Sequence, residues 1–382
     1  MVAPLPERGA EQLARLRREH ILSVEQFSPA LLQPLFQQAK AFAEGIAHDQ
    51  PTTGLDGMVV ANLFYEASTR TDLSFQAAVA RLGGRIITTA GGVHYSSVTK
   101  GESLHDTVKT IACYADAIVL RHSVKGAARE AATAADDLSQ ITGRRVPIIN
   151  AGDGTGEHPT QALLDLYTIK DRFGAALDGL IIGFTGDLRN GRTVHSLIKL
   201  LAIDGDRVRL VCIAPDTLAM PPEYVQFARS RGIEVSETED LPAAIPELDV
   251  LYVTRVQKER FVSQHLEEFA LRAFSARYEH LDPDTQAALR PVAEIHAARA
   301  YERASSNYVI DELIMRRAKR DMILLHPLPR VSEIPVALDG DPRAYYFRQV
   351  QNGLFIRMAL LAAVLGRRVA IRTRRELIIE AA

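Results

Sequence analysis

An apolar run, Met58-Val59-Val60-Ala61-Asn62-Leu63-Phe64, is followed closely by Ser68-Thr69-Arg70-Thr71, and from there the pattern turns helical. Phe75, Ala78, Val79 and Leu82 recur at i, i+3, i+4 and i+7, which predicts a helix with one buried face. Gly83-Gly84 stops that helix, and Arg85-Ile86-Ile87-Thr88-Thr89 resumes as strand. A strand that feeds a helix N-terminus commits the chain to an α/β architecture. It also aims unpaired backbone N–H groups and the positive end of the helix dipole at one point. Three hydroxyls and a guanidinium at that point suit an oxyanion, phosphate most naturally. An ordinary Ser/Thr cap needs only one side-chain oxygen. Arg in a first helical turn opposes the dipole unless an anion is expected, so the anion site is the preferred reading.

With 382 residues and 47% apolar content, the chain exceeds one comfortable core and is expected to form two domains. A formal net charge of −2 gives no bulk reason to expect nucleic acid or membrane binding. Positive charge would therefore have to be gathered locally for anionic ligands. Cys113 and Cys212 lack pairing or metal-ligand spacing and read as buried small hydrophobes in a reducing compartment. The N-terminus is charged and lacks a signal-peptide apolar core, and no apolar stretch reaches membrane-spanning length. A soluble cytoplasmic protein is expected, with no metal or cofactor.

Residues 1–20 read as an N-terminal extension outside the main core. Residues 21–157 alternate helix and strand: helix from Pro29 to Ala47, then the strand and helix above, helix 102–114, strand 117–120, helix 126–137 and strand 146–150. The segment Ala151-Gly152-Asp153-Gly154-Thr155-Gly156-Glu157 reads as a flexible border loop. A second series, 158–347, begins with a helix at His158-Pro159 and continues through strand 180–184, helix 191–203, strand 208–214, helix 222–230 and strands 233–236 and 249–253. Segment 261–320 is charged and helical in pattern, and strand 322–325 follows it. A helix at about 348–370 closes the chain. Two open, parallel-sheet α/β domains follow.

Polar groups cluster where strands end, the place where open α/β sheets bind ligands. Arg121 follows such a strand and could join Arg70 on one anion. His158 begins a helix, where it tends to stay neutral and donate a hydrogen bond; Gln161, one turn on, can offer a carbonyl to an NH2 group. Lys100, in the small-residue loop Ser96-Ser97-Val98-Thr99-Lys100, could be delivered to an anion in its own site or a neighbour's. Arg255 and Gln257 alternate in extended chain and share a side. His326-Pro327-Leu328-Pro329-Arg330 has prolines that cannot donate, which frees backbone carbonyls for an amine. The segment Gly186 to Thr193 nearly matches a nucleotide P-loop, but Arg192 stands where Lys belongs and no acidic partner strand is evident. Arg192 reads instead as a carboxylate ligand.

Taken together, Ser68-Thr69-Arg70-Thr71, Lys100-Gly101-Glu102, His158-Pro159-Thr160-Gln161, Gly191-Arg192-Thr193, Thr254 to Arg260 and His326-Pro327-Leu328-Pro329-Arg330 resemble the catalytic chains of the aspartate carbamoyltransferase family, within the aspartate/ornithine carbamoyltransferase superfamily. The resemblance spans about Leu55 to Gly366. Ornithine carbamoyltransferases carry Cys where this chain has Pro327, which points to aspartate as acceptor. The resemblance implies that Ser68, Thr69, Arg70, Thr71, Arg121, His158, Gln161, Pro327, Leu328, Pro329 and Ser96 bind carbamoyl phosphate. It assigns L-aspartate to Lys100, Arg192, Arg255, Gln257 and Leu328, and the chemistry to Arg70, Thr71, Arg121, His158 and Lys100. The site would lie in a cleft between the two domains, with the C-terminal helix returning to the first. A homotrimer is implied, with Ser96 and Lys100 donated in trans, and a larger assembly with other pyrimidine-pathway chains is compatible with it. The activity would be an early step of pyrimidine biosynthesis, needing no metal.

Asp72 and Gln76 depart from the family's usual Arg and Glu, Ser123 replaces a frequent Pro, and segment 261–320 is longer than usual. An Asp beside the phosphate is expected to weaken anion binding. The Asp72 and Gln76 changes and the long segment motivate one alternative, a silent homologue acting as a scaffold; the nearest enzyme alternative is a carbamoyltransferase for another amino acid.

Overall fold

The computed structural model describes residues 5–50, 52–88, 101–256, 258–306, 308–367 and 370–371. The chain begins with α1 (Glu7–Ala14), α2 (Pro29–Ala47), the short β1 (Thr52–Thr53), β2 (Val59–Phe64), α3 (Thr69–Arg81), β3 (Arg85–Thr88), α4 (Leu104–Ala112), β4 (Ala117–His122), α5 (Ala127–Thr142), β5 (Ile148–Asp153) and α6 (Pro159–Phe173). It continues with β6 (Ile181–Thr185), α7 (Arg192–Asp204), β7 (Arg209–Ile213), α8 (Pro222–Ser230), β8 (Glu234–Thr238), α9 (Leu241–Ala244) and β9 (Val250–Val253). The last elements are α10 (Lys258–Phe274), α11 (Pro283–Ser306), α12 (Glu312–Arg317), β10 (Ile323–Leu325), α13 (Tyr346–Val364) and β11 (Ala370–Ile371).

Two parallel sheets result, one ordered β3-β2-β4-β5 and the other β10-β9-β6-β7-β8. Their central strands are apolar runs buried along nearly their whole length, as sheets covered by helices on both faces require. On α3 the repeat seen in the sequence is the buried face: Phe75, Ala78, Val79 and Leu82 have no exposed surface. Burying each of the three larger side chains stabilises the fold by roughly 1.5–3 kcal/mol, which anchors the helix whose N-terminus opens the site. The terminal helix α13 packs on α2 and α3 of the first lobe and on α6.

Three expectations are corrected. Residues before 21 are not outside the core, because α1 packs on α2, Leu13 and Leu16 are buried, and the Arg18 backbone N–H donates to the Val364 carbonyl at 2.7 Å. Residues 151–153 are not loop, because β5 runs on to Asp153 beside His122 of β4. Cys113 is exposed, and only Cys212 is buried. Segment 261–320 takes in most of α10, which begins at Lys258, together with α11 and α12, and α10 and α11 pack against each other. Among the described residues no helix is long and apolar enough to cross a membrane.

Strand register sets the site. Phe64 of β2 pairs with Arg121 of β4, so Arg121 and the segment leading into α3 leave the first sheet level with each other. In the second sheet Thr185 pairs with Val253 and Tyr252 with Leu325. The turns after β6, β9 and β10 therefore emerge together at the C-terminal strand edge. At the first of them Gly186 has φ of +103°, and a Cβ there would stand 2.1 Å from the Thr254 carbonyl oxygen, so only glycine lets the two turns meet.

Candidate active site

The two strand edges enclose one cavity of about 530 Å3. Ser68, Thr69, Arg70 and Thr71 line it from the first lobe with Arg121 and His158, and Arg192, Arg255, Pro327, Leu328 and Pro329 from the second, with Gln161 on the intervening α6. All four guanidiniums singled out in the sequence thus face one hollow. Ser96, Lys100 and Gln257 lie outside the described residues.

Ser68 holds the N-cap position of α3, yet its side chain makes no cap hydrogen bond. Its hydroxyl and the leading N–H groups of the helix are therefore available to a ligand, which favours the anion site over a plain cap. Arg70 stands exposed at the mouth with no ion-pair partner among the described residues. Asp72 does not line the cavity. Its buried carboxylate faces β2, accepting from Asn62 Nδ2 at 2.7 Å and from Gln76 Nε2 at 3.0 Å. The expected weakening of anion binding by Asp72 thus loses its geometric basis, and Gln76 supplies a hydrogen bond where an ion pair is usual.

Arg121 is buried, and its Nη1 donates to the Ala151 carbonyl at 3.1 Å. Its Nη2 donates to Glu66 Oε1 at 2.7 Å. Arg192, first residue of α7, reaches across from the second lobe: Nη2 donates to Glu66 Oε1 at 3.1 Å, and Nη1 donates to Glu66 Oε2 at 3.2 Å and to the Gly154 carbonyl at 2.7 Å. Glu66 is thus a carboxylate held between two guanidiniums. Burial alone would raise its pKa, but the charges and hydrogen bonds of Arg121 and Arg192 hold it below the usual carboxylate range. Burial, then the like charge of Arg192, pushes Arg121 down to about 10, with Glu66 opposing. Gly152 makes room for the pair: its φ is +117°, and a Cβ would lie 3.0 Å from Arg121 Nη1 and 3.2 Å from Arg192 Cζ.

His158 caps α6 by position without a side-chain cap bond, and its backbone N–H donates to Ser196 Oγ at 3.1 Å. Burial, then the charges of Arg121, Arg192 and Arg357, drives its pKa well below the ordinary value, so the ring is neutral. The sequence argument for neutrality rested on the helix terminus; burial among cations is the larger cause. His326 ends β10 and shapes the turn that follows. Its Nδ1 accepts from the Leu328 backbone N–H at 2.8 Å, and its Nε2 donates to Glu333 at 2.9 Å. Leu328 is held at φ of +54°, a left-handed conformation rare outside glycine.

Four contributors escaped the sequence reading. Glu66 is an acid two residues before the Ser68–Thr71 anion site, and nothing local in the sequence marks it. Asp187, in the loop that resembled a P-loop, lines the cavity and accepts from the Asn190 backbone N–H at 3.0 Å. Gln349 and Arg357 reach the cavity from α13. Arg357 carried a readable signal, a lone guanidinium within Leu354-Phe355-Ile356-Arg357-Met358-Ala359-Leu360, and it donates to Ser74 Oγ at 2.8 Å.

Known proteins are similar to this chain in sequence and in fold. The family model described as the aspartate/ornithine carbamoyltransferase carbamoyl-P binding domain matches residues 19–171, and the Asp/Orn binding domain of the same family matches 178–280 and 291–364. The aspartate carbamoyltransferase named as chloroplastic from Oryza sativa is 40% identical over 92% of this chain and 86% of its own. The multifunctional protein CAD of Squalus acanthias is 44% identical over 91% of this chain, which spans only 13% of that protein. The structure of aspartate transcarbamoylase from Trypanosoma cruzi in complex with N-(phosphonacetyl)-L-aspartic acid superimposes with a TM-score of 0.74 at 38% identity, covering 92% of this chain and 97% of that one. With both domain models matched in order along the same chain, this protein is a member of the aspartate/ornithine carbamoyltransferase family.

Proposed function

We propose that the chain is an aspartate carbamoyltransferase, moving the carbamoyl group of carbamoyl phosphate to the amine of L-aspartate and releasing phosphate. One observation carries the reading: Arg70, Arg121, Arg192 and Arg255 converge with the uncapped N-terminus of α3 on one cavity. A dianionic phosphate and a dicarboxylate need that much fixed positive charge in one place. The analogue bound to the Trypanosoma cruzi enzyme joins a phosphonate to aspartate, the same charge pattern in one molecule.

Ser68, Thr69, Arg70, Thr71 and Arg121 take the phosphate. Thr71, Arg121 and neutral His158 donate to the carbamoyl oxygen, while Gln161, Pro327, Leu328 and Pro329 accept from its NH2 and from the attacking amine. Arg192, Arg255 and Gln257 hold the carboxylates of aspartate. A neutral amine forms the new C–N bond, charge collects on the carbamoyl oxygen, the C–O bond to phosphate breaks, and phosphate carries off the amine proton. Positioned donors in a water-poor site supply the stabilisation. A homotrimer, with Ser96 and Lys100 serving the neighbouring subunit, belongs to the same proposal and rests on the family resemblance. A cytoplasmic setting is also proposed, supported by the two unpaired cysteines rather than by the relatives, several of which are named as chloroplastic. A larger pyrimidine-pathway assembly is the corresponding proposal for partners.

The test is turnover by the full chain with carbamoyl phosphate and a panel of acceptors, with products read by mass. N-carbamoyl-L-aspartate as the dominant product supports the proposal. N-carbamoyl-ornithine as the main product, or no product from any acceptor, overturns it.

A further inference from the structure

Gln161 lines the cavity, and one end of its amide is fixed from behind. Its Nε2 donates at 2.8 Å to Oδ1 of Asp165, one helical turn further along α6. The same oxygen accepts from Gln349 Nε2 of α13 at 2.6 Å, and Oδ2 accepts from the Tyr252 hydroxyl of β9 at 2.8 Å. Gln349 Oε1 in turn accepts from the His326 backbone N–H at 2.9 Å. Asp165 and Tyr252 are fully buried, and Gln349 nearly so.

With Asp165 ionised, or carrying its proton on Oδ2, this network fixes which way Gln161 points. A backbone N–H can only donate, so His326 fixes the oxygen end of Gln349, and the NH2 of Gln349 must face Asp165. Asp165 Oδ1 is therefore an acceptor. Gln161 must also present its NH2 to that oxygen, since a flipped amide would set carbonyl against carboxylate in a dry interior. The Gln161 carbonyl oxygen is left for the cavity. A proton on Oδ2 would be taken by the Tyr252 oxygen and would leave this orientation unchanged. Burial raises Asp165 to about 7 against the hydrogen bonds from Gln349, Tyr252 and Gln161, so both protonation states are populated near neutrality.

We infer that Asp165 is a positioning residue for donor-substrate choice. It locks the Gln161 carbonyl toward the NH2 of the carbamoyl group and so selects a carbamoyl phosphate over an acyl phosphate of the same shape. This rests on the carbamoyl phosphate reading of the site. Acetyl phosphate has a methyl group where the carbamoyl group has NH2, and a site built to accept from NH2 leaves its carbonyl unpaired against methyl.

The experiment measures kcat/KM for carbamoyl phosphate and acetyl phosphate, with L-aspartate as acceptor, in the full chain and in Asp165 variants. Acetyl phosphate is followed as N-acetyl-aspartate, or as a competitive inhibitor if its turnover is slow. Asp165→Leu is expected to lower the carbamoyl-to-acetyl ratio at least about 10-fold, through a higher KM for carbamoyl phosphate, with acetyl phosphate little changed. Asp165→Asn, whose oxygen keeps both glutamine bonds while its NH2 meets the Tyr252 oxygen, is expected to restore the ratio to within about 3-fold of the parent. Asp165→Thr, too short to reach Gln161, serves if the leucine variant does not fold, with the same loss expected. A merely structural role would depress both substrates together and leave the ratio unmoved, and that outcome overturns the inference. A parent chain inactive with carbamoyl phosphate would instead overturn the functional reading on which the inference rests.

Discussion

The carboxylate of Glu66, just past the end of β2, sits 3.1 Å from the guanidinium of Arg192 at the start of α7, and this contact ties the two lobes across the cleft. The same carboxylate holds Arg121, so one anion separates two cations that would otherwise repel. Glu66→Gln keeps the shape and removes the charge. It is expected to raise KM for L-aspartate about 10-fold, or ~1.4 kcal/mol, because Arg192 loses the partner that fixes it. Steady-state kinetics at saturating carbamoyl phosphate reads the change. An unaltered KM would show that Glu66 does not hold Arg192 for substrate.

In the proposed mechanism Arg121 and His158, which both line the cavity, donate to the carbamoyl oxygen where charge grows. Arg121→Ala or His158→Ala is each expected to cost about 10² to 10³ in kcat, the loss seen when an oxyanion donor is removed. Near-full activity in both variants would remove them from that role. Circular dichroism of each variant separates this from unfolding.

His158 is expected to remain neutral where an exposed histidine titrates. Its folded pKa lies well below its unfolded one, so the stability it contributes is present above pH about 6.5 and lost as pH falls through the folded value. NMR of ring-labelled histidine should show a His158 resonance, assigned by its absence in His158→Gln, that is still in the neutral form at pH about 6.5, where an ordinary exposed imidazole is half protonated. A midpoint near 6.5 would contradict the burial argument.

Asp165 has the opposite sign. Its folded pKa is raised to about 7, so its favourable contribution is present below its unfolded pKa and lost as pH rises through neutrality. Denaturant unfolding of the parent and of Asp165→Asn at pH 5.5 and 8.5 tests this. The parent is expected to gain stability relative to the variant at the lower pH. A difference independent of pH would show that Asp165 holds its proton no more tightly than an ordinary carboxylate.

The rhythm of strands and helices was readable because parallel strands buried on both faces show as unbroken apolar runs, and α3 shows a clear helical repeat. Helix 222–230 matches α8 residue for residue. The end of β5 was hidden because Gly152 and Asp153 are poor strand formers, and what keeps them in the strand is tertiary. Gly152 is needed where two guanidiniums pass, and Asp153 caps the turn by accepting from the Glu157 and Gly126 backbone N–H groups. In the site, Arg70, Arg121, Arg192 and Arg255 stood out because each ends or follows a strand or opens a helix, whereas Arg357 lies inside α13. Glu66 and Asp165 did not stand out, since their roles depend on partners far away in sequence, Arg192 for one and Gln349 for the other. Asp72 misled for the converse reason: its neighbours in sequence bind an anion, while its side chain faces Asn62 beneath the helix.

The most direct test of the account is a crystal structure of this chain with N-(phosphonacetyl)-L-aspartic acid. The phosphonate is expected at the N-terminus of α3, within hydrogen-bond reach of Ser68, Thr69, Arg70, Thr71 and Arg121, with the two carboxylates on Arg192 and Arg255. A phosphonate bound away from α3, or carboxylates that meet neither Arg192 nor Arg255, would contradict it.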